Sequence, residues 1–237
     1  MLDWCVRDVD LKWYAHFDRV ILYDRVNRLV NDPAAVARHA FRPFIRYDDS
    51  FQPFRPKNGK KPDKKVRPIR YAARADAYIY KRYRGILAER YENLLVEHGI
   101  SDCVLAYRKI PVSTLANGGK CNIHFAAEAF ETILLFDRCS AVALDISSFF
   151  DSIDHAKLKK VWCRLIDMAT LPPDHYQVYK HITRYSDVSR DDLYIRLGFA
   201  QRNSLGVMEY RLKENEMPKQ LCPPDVFRKL VCARHSG

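Results

Sequence analysis

An apolar run that carries a single carboxylate is the feature that most constrains this chain. Ala141–Ile146, with the sequence AVALDI, has the composition of a short buried strand and bears Asp145 near its C-terminal end. From Asp154 the apolar residues, among them Leu158 and Trp162, recur at helical spacing. A strand that leads through a short turn into an amphipathic helix must pack in a mixed layer. The pattern therefore predicts an α+β protein.

Other segments continue this mixed pattern of helices and strands. Helical spacing appears at 8–30, after Asp32-Pro33, from Asp76 to Gly99, at 122–134 and briefly after Pro224. Strands are predicted at 65–71, 103–108 and 192–199. The stretch 42–63 contains four prolines and Asn58-Gly59, which is typical of a loop.

Positive charge is concentrated in one segment. The chain has a net charge of +11, and residues 55–90 contain thirteen Lys or Arg residues against three acidic ones. Four tyrosines in this segment, Tyr71, Tyr78, Tyr80 and Tyr83, either stack on nucleic-acid bases or pack in a core. A solvated basic face is the alternative to nucleic-acid binding.

Cysteine usage and hydropathy indicate a cytoplasmic protein without a membrane partner. Seven cysteines without a paired CxxC spacing suit reduced thiols better than disulfides or a zinc ribbon. Cys121 and His124 have a ligand-like spacing but begin a predicted helix. No long uncharged apolar stretch is present, and the N-terminal residues are acidic where a secretory signal is basic.

An acid at the end of an apolar strand needs a partner, because a buried carboxylate is costly to desolvate. In a chain that also has a polyanion-binding segment, a divalent cation is the natural partner for Asp145. Mg²⁺ uses few protein carboxylates and completes its shell with phosphates and water.

The string AVALDISSFFDSIDHAKLKKVW, residues 141–162, resembles the first palm motif of reverse transcriptases, especially the bacterial retron, group II intron and defence-associated (abortive-infection) types. The resemblance implies the fingers and a partial palm of a right-hand polymerase. It further implies that Asp145 binds Mg²⁺, with Mn²⁺ as an alternative, and that the backbone carbonyl of Ile146 helps. Phe150 matches the aromatic residue that selects deoxynucleotides. Asp151, Asp154 and His155 are predicted to be solvated or to start the next helix.

Two further segments extend the resemblance to about residues 60–162. KKVRPIRYAARADAYIYKRYRGIL resembles the fingers motif, and the segment around Tyr107-Arg108-Lys109 resembles the link from fingers to palm. The nucleotide phosphates are then expected on Lys65, Arg67 and Arg74, which suit this task as point-charge and bidentate cations. The residues predicted to bind nucleic acid are Lys60, Lys61, Lys64 and Arg70.

The resemblance implies three regions and a set of partners. Residues 1–60 form a helical region with a basic Pro-rich loop, 61–140 the fingers and the segment that links them to the palm, and 141–237 a partial palm. The implied partners are an RNA template, a DNA or RNA primer and deoxynucleoside triphosphates. A non-coding RNA or a second polypeptide is a further candidate, and antiviral defence is the implied process.

The sequence also departs from the family. Its members continue with a Gly-Gln turn and a Tyr-x-Asp-Asp hairpin that supplies the other metal-binding carboxylates, and neither occurs here. The triplets Tyr47-Asp48-Asp49 and Arg190-Asp191-Asp192 lack the right order or flanks, and the first is expected in a loop. We therefore expect this chain alone to be catalytically incomplete. A silent nucleic-acid-binding module and a metal nuclease or phosphatase built on Asp145 are the alternatives.

Overall fold

A computed structural model describes residues 4–52, 63–112, 118–136 and 138–232. These residues form an α+β protein, as predicted. The helices are α1 (Tyr23–Asn31), α2 (Pro33–Ala37), α3 (Arg74–Glu97), α4 (Asn122–Leu135), α5 (His155–Leu165), α6 (Pro173–Thr183), α7 (Arg190–Arg196) and α8 (Pro224–Phe227). The strands are β1 (Phe44–Phe51), β2 (Lys65–Tyr71), β3 (Asp187–Ser189), β4 (Ala200–Arg202) and β5 (Met208–Tyr210). The chain divides into two compact units, residues 1–86 with 168–237, and residues 87–167.

The first unit is built on a three-stranded sheet in which β1 lies between β2 and β3. β1 runs antiparallel to β2 and parallel to β3. α7 packs against β1, and β4 and β5 form a separate hairpin. The core of this unit includes Phe17, Ile45, Leu193, Met217 and Leu221. Segments far apart in sequence therefore share one core.

The second unit has a small buried core within the described residues. Leu95 of α3 and Trp162 and Ile166 of the α5 region are buried. Arg90 of α3 donates a hydrogen bond to the carbonyl of Leu165 at 3.3 Å. α4 buries none of its described side chains, and Leu134 is 84% exposed.

Several predicted elements are confirmed. β2 has the predicted bounds, and α2 starts at Pro33 with the Asp32 carboxylate accepting from the next two backbone N–H groups. α3 is followed by Gly99, whose φ of +63° is a left-handed conformation that glycine adopts easily. α5 begins after Asp154, which caps it, and α8 follows Pro223.

Two of the four tyrosines in the basic segment pack in the core. Tyr78 and Tyr83 are buried, at 2% and 3% exposure. The Tyr83 hydroxyl donates to the Asp174 carboxylate at 2.5 Å, and burial, followed by this hydrogen bond, raises the pKa of Tyr83. These two rings are core residues of the first unit and are not available to nucleic acid.

The prediction of a loop over 42–63 is wrong for its first part, because Phe44–Phe51 forms β1. A strand such as β2 is stable only with a hydrogen-bonded neighbour, and β1 provides it. The triplet Tyr47-Asp48-Asp49 therefore lies in a strand, with Asp49 paired to Arg67 in register. Residues 53–62 lie outside the described part of the chain.

Three other predicted elements differ from the structure. Within residues 8–30 the α-helix begins only at Tyr23. The carbonyls of Lys12, Tyr14 and Asp18 accept hydrogen bonds from the Arg74 guanidinium, so they do not accept the backbone N–H groups that a helix would supply. Residues 103–108 form turns. Residues 192–199 mostly belong to α7, whose first turn is capped by the Ser189 hydroxyl accepting from the N–H of Asp192 at 3.3 Å.

The apolar run 141–146 is not a strand. The segment has no regular secondary structure, and Leu144 is 92% exposed. The physical reason is that β composition alone does not hold an extended segment, which needs a neighbouring strand to pair its backbone. No described residue forms such a ladder with 141–146.

Candidate nucleic-acid and nucleotide site

The basic residues of β2 lie on both faces of the β1–β2 hairpin. Side chains alternate along a strand, so Lys65 and Arg67 share one face and Arg70 lies on the other. Lys64, Lys65 and Arg67 are exposed. The Arg67 guanidinium lies 4.9 Å from the centre of the Phe51 ring, which is a cation–π contact.

Arg70 has a partner for its charge. Its Nε donates to the Asp187 carboxylate at 2.6 Å, and Arg46 approaches the same carboxylate at 3.6 Å. The guanidinium also lies 5.3 Å from the Tyr185 ring centre. Two arginines therefore share the Asp187 carboxylate, and Arg70 is held by the fold.

Arg74 occupies a structural position. It is 1% exposed, and its guanidinium donates to the carbonyls of Lys12, Tyr14, Asp18 and Lys219 and to the Asp18 carboxylate. A fully buried and hydrogen-bonded guanidinium has no free donor for a triphosphate. We therefore leave Arg74 out of the candidate nucleotide site. Lys60 and Lys61 lie outside the described residues.

Asp145 belongs to the second unit and is exposed within the irregular segment 141–146. Ile146 is 66% exposed. Ser148 follows with a φ of +52°, and a 3₁₀ turn spans Phe149–Ser152. The backbone thus reverses direction just after Asp145, which leaves the carboxylate accessible.

Phe150 is 65% exposed and forms part of a small aromatic group in the second unit. Its ring contacts Tyr107 edge-on, with centroids 5.9 Å apart, and Phe149 at 5.3 Å. Tyr107 itself has a positive φ of 61°. The ring of Phe150 is therefore oriented by neighbours but not enclosed by them.

The acids that follow Phe150 have the roles predicted for them. The Asp154 carboxylate accepts from the backbone N–H of Lys157 at 3.0 Å, and this hydrogen bond lowers the pKa of Asp154. His155 is the first residue of α5, and Asp151 is exposed. Asp191 and Asp192 lie in the first turn of α7, where negative charge is favourable.

Within the ranges that the structure describes, no three His, Cys, Asp or Glu side chains gather into a metal-binding group. Cys121 and His124 interact locally at the start of α4, with the Sγ and Nδ1 atoms 3.2 Å apart. Asp145 and a single carbonyl do not fit a two-metal centre, which needs carboxylates from more than one segment. A further carboxylate is required to complete such a centre.

The structure thus brings Lys65 and Arg67 together in the first unit, and Asp145, Ile146 and Phe150 in the second. Sequence reasoning missed a set of aromatic residues, among them Trp13, Tyr47 and Tyr210, that line a cleft of the first unit. They come from segments distant in sequence, so no spacing could have indicated them.

No protein-family model matches this chain, and no curated protein matches it. No helix in the described ranges is long and apolar enough to cross a membrane.

Proposed function

We propose that this chain is a reverse-transcriptase-like RNA-directed DNA polymerase domain that acts in bacterial antiviral defence in the cytoplasm. The observation that carries the proposal is the exposed pair Lys65 and Arg67 on one face of β2. The motif from Asp145 to His155 adds to it through its resemblance to the first palm motif. In this proposal Lys65 and Arg67 hold the phosphates of an incoming deoxynucleotide or of the template–primer duplex.

The roles of the second unit follow from the same resemblance. Asp145 is proposed as one carboxylate ligand of Mg²⁺ or Mn²⁺, with the Ile146 carbonyl beside it. The bound ion would neutralise phosphate charge and orient the triphosphate. Phe150 presents an exposed, laterally supported ring, which suits contact with the flat face of a sugar. A second polypeptide is proposed as the source of the further carboxylate.

A second candidate is a non-catalytic nucleic-acid-binding module. It is favoured by the isolation of Asp145, which has no acidic or histidine cluster around it in the described residues. Such a module would use only the basic face of the β1–β2 hairpin. Both candidates require this face to bind nucleic acid.

The experiment measures the binding of an RNA–DNA duplex by fluorescence anisotropy at 50 to 200 mM salt. Three phosphate contacts give a slope of about −2.7 in log K against log salt, which is a roughly 40-fold loss over this range. Replacing Lys64, Lys65 and Arg67 by Gln should remove most of this slope. The matched control replaces three other exposed lysines, Lys157, Lys160 and Lys229, and lowers the net charge equally.

Equal losses in the two triple variants would mean that the overall charge binds the duplex, and would refute a site on β2. A second assay separates the two candidates by magnesium-dependent nucleotide incorporation. Polymerase function predicts nucleotide incorporation once the missing carboxylate is supplied. It also predicts that Asp145→Asn loses this incorporation at an unchanged melting temperature, and that Phe150→Ala incorporates ribonucleotides. A binding module predicts equal duplex affinity for Asp145→Asn and no incorporation under any condition.

A further inference from the structure

A cleft opens in the first unit beside the β1–β2 hairpin, with a volume of about 1570 Å³. It lies between the hairpin, the N-terminal segment around Trp13 and the region from Arg190 to Lys219. This volume exceeds that of a typical small-molecule site, roughly 300–1,000 Å³, so it can admit a ligand and part of a chain attached to it.

The floor of the cleft consists of tyrosines that are buried or half-buried. Tyr14 donates its hydroxyl to the carbonyl of Ala72 at 2.8 Å. Burial raises the pKa values of Tyr14 and Tyr71, so both phenols stay neutral. The two rings contact each other edge-on at 5.2 Å, and Tyr194 beside them is buried. These residues form a fixed aromatic base for the cleft.

The walls differ from the floor because they carry half-exposed aromatic side chains. Trp13 is 56% exposed and Tyr210 is 48% exposed. Large aromatic side chains that remain half-exposed in a concave site are suited to stacking on a flat ligand, since their apolar faces gain by leaving water. Tyr47 adds a third ring on the hairpin side.

The guanidinium of Arg190 lies at the cleft, and one of its N–H groups lacks a hydrogen-bond partner among the described residues. Its Cζ lies 4.7 Å from the centre of the Tyr47 ring. Its Nε is buried without a hydrogen-bond partner in the described residues. The Tyr210 hydroxyl lies 3.4 Å from Nη2, and the Asp191 carboxylate lies 3.5 Å from Nε. Both distances are long for such a bond, so an anion could be bound better here.

The mouth of the cleft is positively charged. Arg211, Lys213 and Lys219 line it and are exposed, and Glu216 is an acidic residue among the described lining. The Glu216 carboxylate already accepts from the backbone N–H of Lys213 at 3.0 Å. The excess of basic over acidic groups attracts an anionic ligand.

The cleft is continuous with the basic face of the hairpin. Tyr47 pairs with Ile69 in register, and both line the cleft. Because side chains alternate, Ile69 shares its face of β2 with Lys65 and Arg67. Lys65 lies four residues away, about 13 Å along the strand. A chain of nucleotides that leaves the cleft along β2 would therefore meet two further cations.

We infer that this cleft binds a nucleotide, with the base stacked against Trp13 and Tyr210 and the phosphate held by Arg190 and the cations at the mouth. The required chemistry is a flat aromatic base joined to a phosphate. A free nucleoside monophosphate and a nucleotide within a single strand both provide it. This binding goes beyond the proposed polymerase function, since it needs neither Asp145 nor Phe150.

The experiment titrates the full chain with AMP and UMP by calorimetry and with a fluorescein-labelled U8 oligonucleotide by anisotropy. Trp13→Leu should weaken binding roughly tenfold through the lost stack. The double variant Lys213→Gln with Lys219→Gln should weaken binding and lower the salt slope for U8 by about 1.4. Tyr176→Leu, at a 42% exposed site on α6, and the double variant Lys157→Gln with Lys229→Gln are matched controls.

Each outcome is decisive. Cleft-dependent binding of AMP or UMP supports the inference and identifies a free nucleotide as a ligand. Cleft-dependent binding of U8 alone supports it and identifies a single strand. If Trp13→Leu and the double lysine variant bind like the controls, or inorganic phosphate competes as well as AMP, the inference is overturned. The affinity of Trp13→Leu for the RNA–DNA duplex separates this result from failure of the proposed duplex site, because Trp13 lies outside that site and this affinity should not change.

Discussion

His16 should make the first unit sensitive to mild acid. Its side chain is fully buried, between the rings of Phe17 and Tyr71 at centroid distances of 5.0 and 5.7 Å. Its Nδ1 accepts from the backbone N–H of Phe17 at 2.8 Å, which fits the neutral ring. Burial lowers the pKa of His16 from 6.5 to about 4, although the negative charges of Asp18 and Asp76 oppose this change.

The direction of this pH effect on stability depends on whether the folded or the unfolded chain binds the proton more tightly. Below pH 6.5 the unfolded chain protonates this histidine while the folded chain does not, so the free energy of unfolding falls with pH until about pH 4. The full loss is about 3 kcal/mol, and about 2 kcal/mol of it occurs between pH 7 and pH 5. The nearby Asp18 carboxylate, 3.9 Å from Nδ1, is itself paired with Arg74 and so provides only part of the compensating charge.

Urea unfolding of wild type and His16→Asn at pH 7 and pH 5 measures this contribution. The asparagine oxygen can replace Nδ1 as acceptor but does not titrate, so the variant should be less stable than wild type at pH 7 and should lack the acid-dependent loss that His16 causes. Wild type should lose about 2 kcal/mol more than the variant on acidification. His98→Asn, at an exposed site after α3, is the control and should behave like wild type. Equal losses in wild type and His16→Asn would refute the reasoning.

Two other predictions concern stability. Arg74→Met should lower the free energy of unfolding in urea by about 3–5 kcal/mol, because it leaves the buried Asp18 carboxylate without its partner. Arg67→Met, at an exposed site, should change this free energy little. Similar losses for both variants would contradict a structural role for Arg74. Asp154→Ala should lower the melting temperature of the chain by a few degrees through loss of the α5 cap, and Asp154→Asn by less. Asp151→Ala is the control, and an equal effect there would exclude capping as the cause.

Local signals in the sequence predicted the elements whose cause is local. The Asp32-Pro33 start of α2, the Gly99 end of α3 and the Asp154 start of α5 depend on the conformational preferences of a few adjacent residues. The exposure of Lys65 and Arg67 on β2 agrees with their charge, although the apolar Val66 between them is exposed as well.

The burial of Arg74 could not be predicted from its basic neighbours. Its hydrogen bonds reach the carbonyls of Lys12, Tyr14 and Lys219, and no sequence pattern relates these positions. For the apolar run around Asp145 the sequence carried a strand signal, but the structure has no strand there. Its composition favours a strand, but a strand forms only where another backbone accepts and donates its hydrogen bonds.

The sequence by itself determined the mixed α+β class, the helix boundaries set by capping residues, the concentrated positive charge and the motif that carries Asp145. The tertiary structure alone decided which basic residues are free, since Arg74 is buried, Arg70 is paired with Asp187, and Lys65 and Arg67 remain exposed. It also decided where the aromatic cleft lies. The reason is physical: capping and side-chain alternation act over a few residues, whereas burial and pairing depend on which distant segments meet in the folded chain.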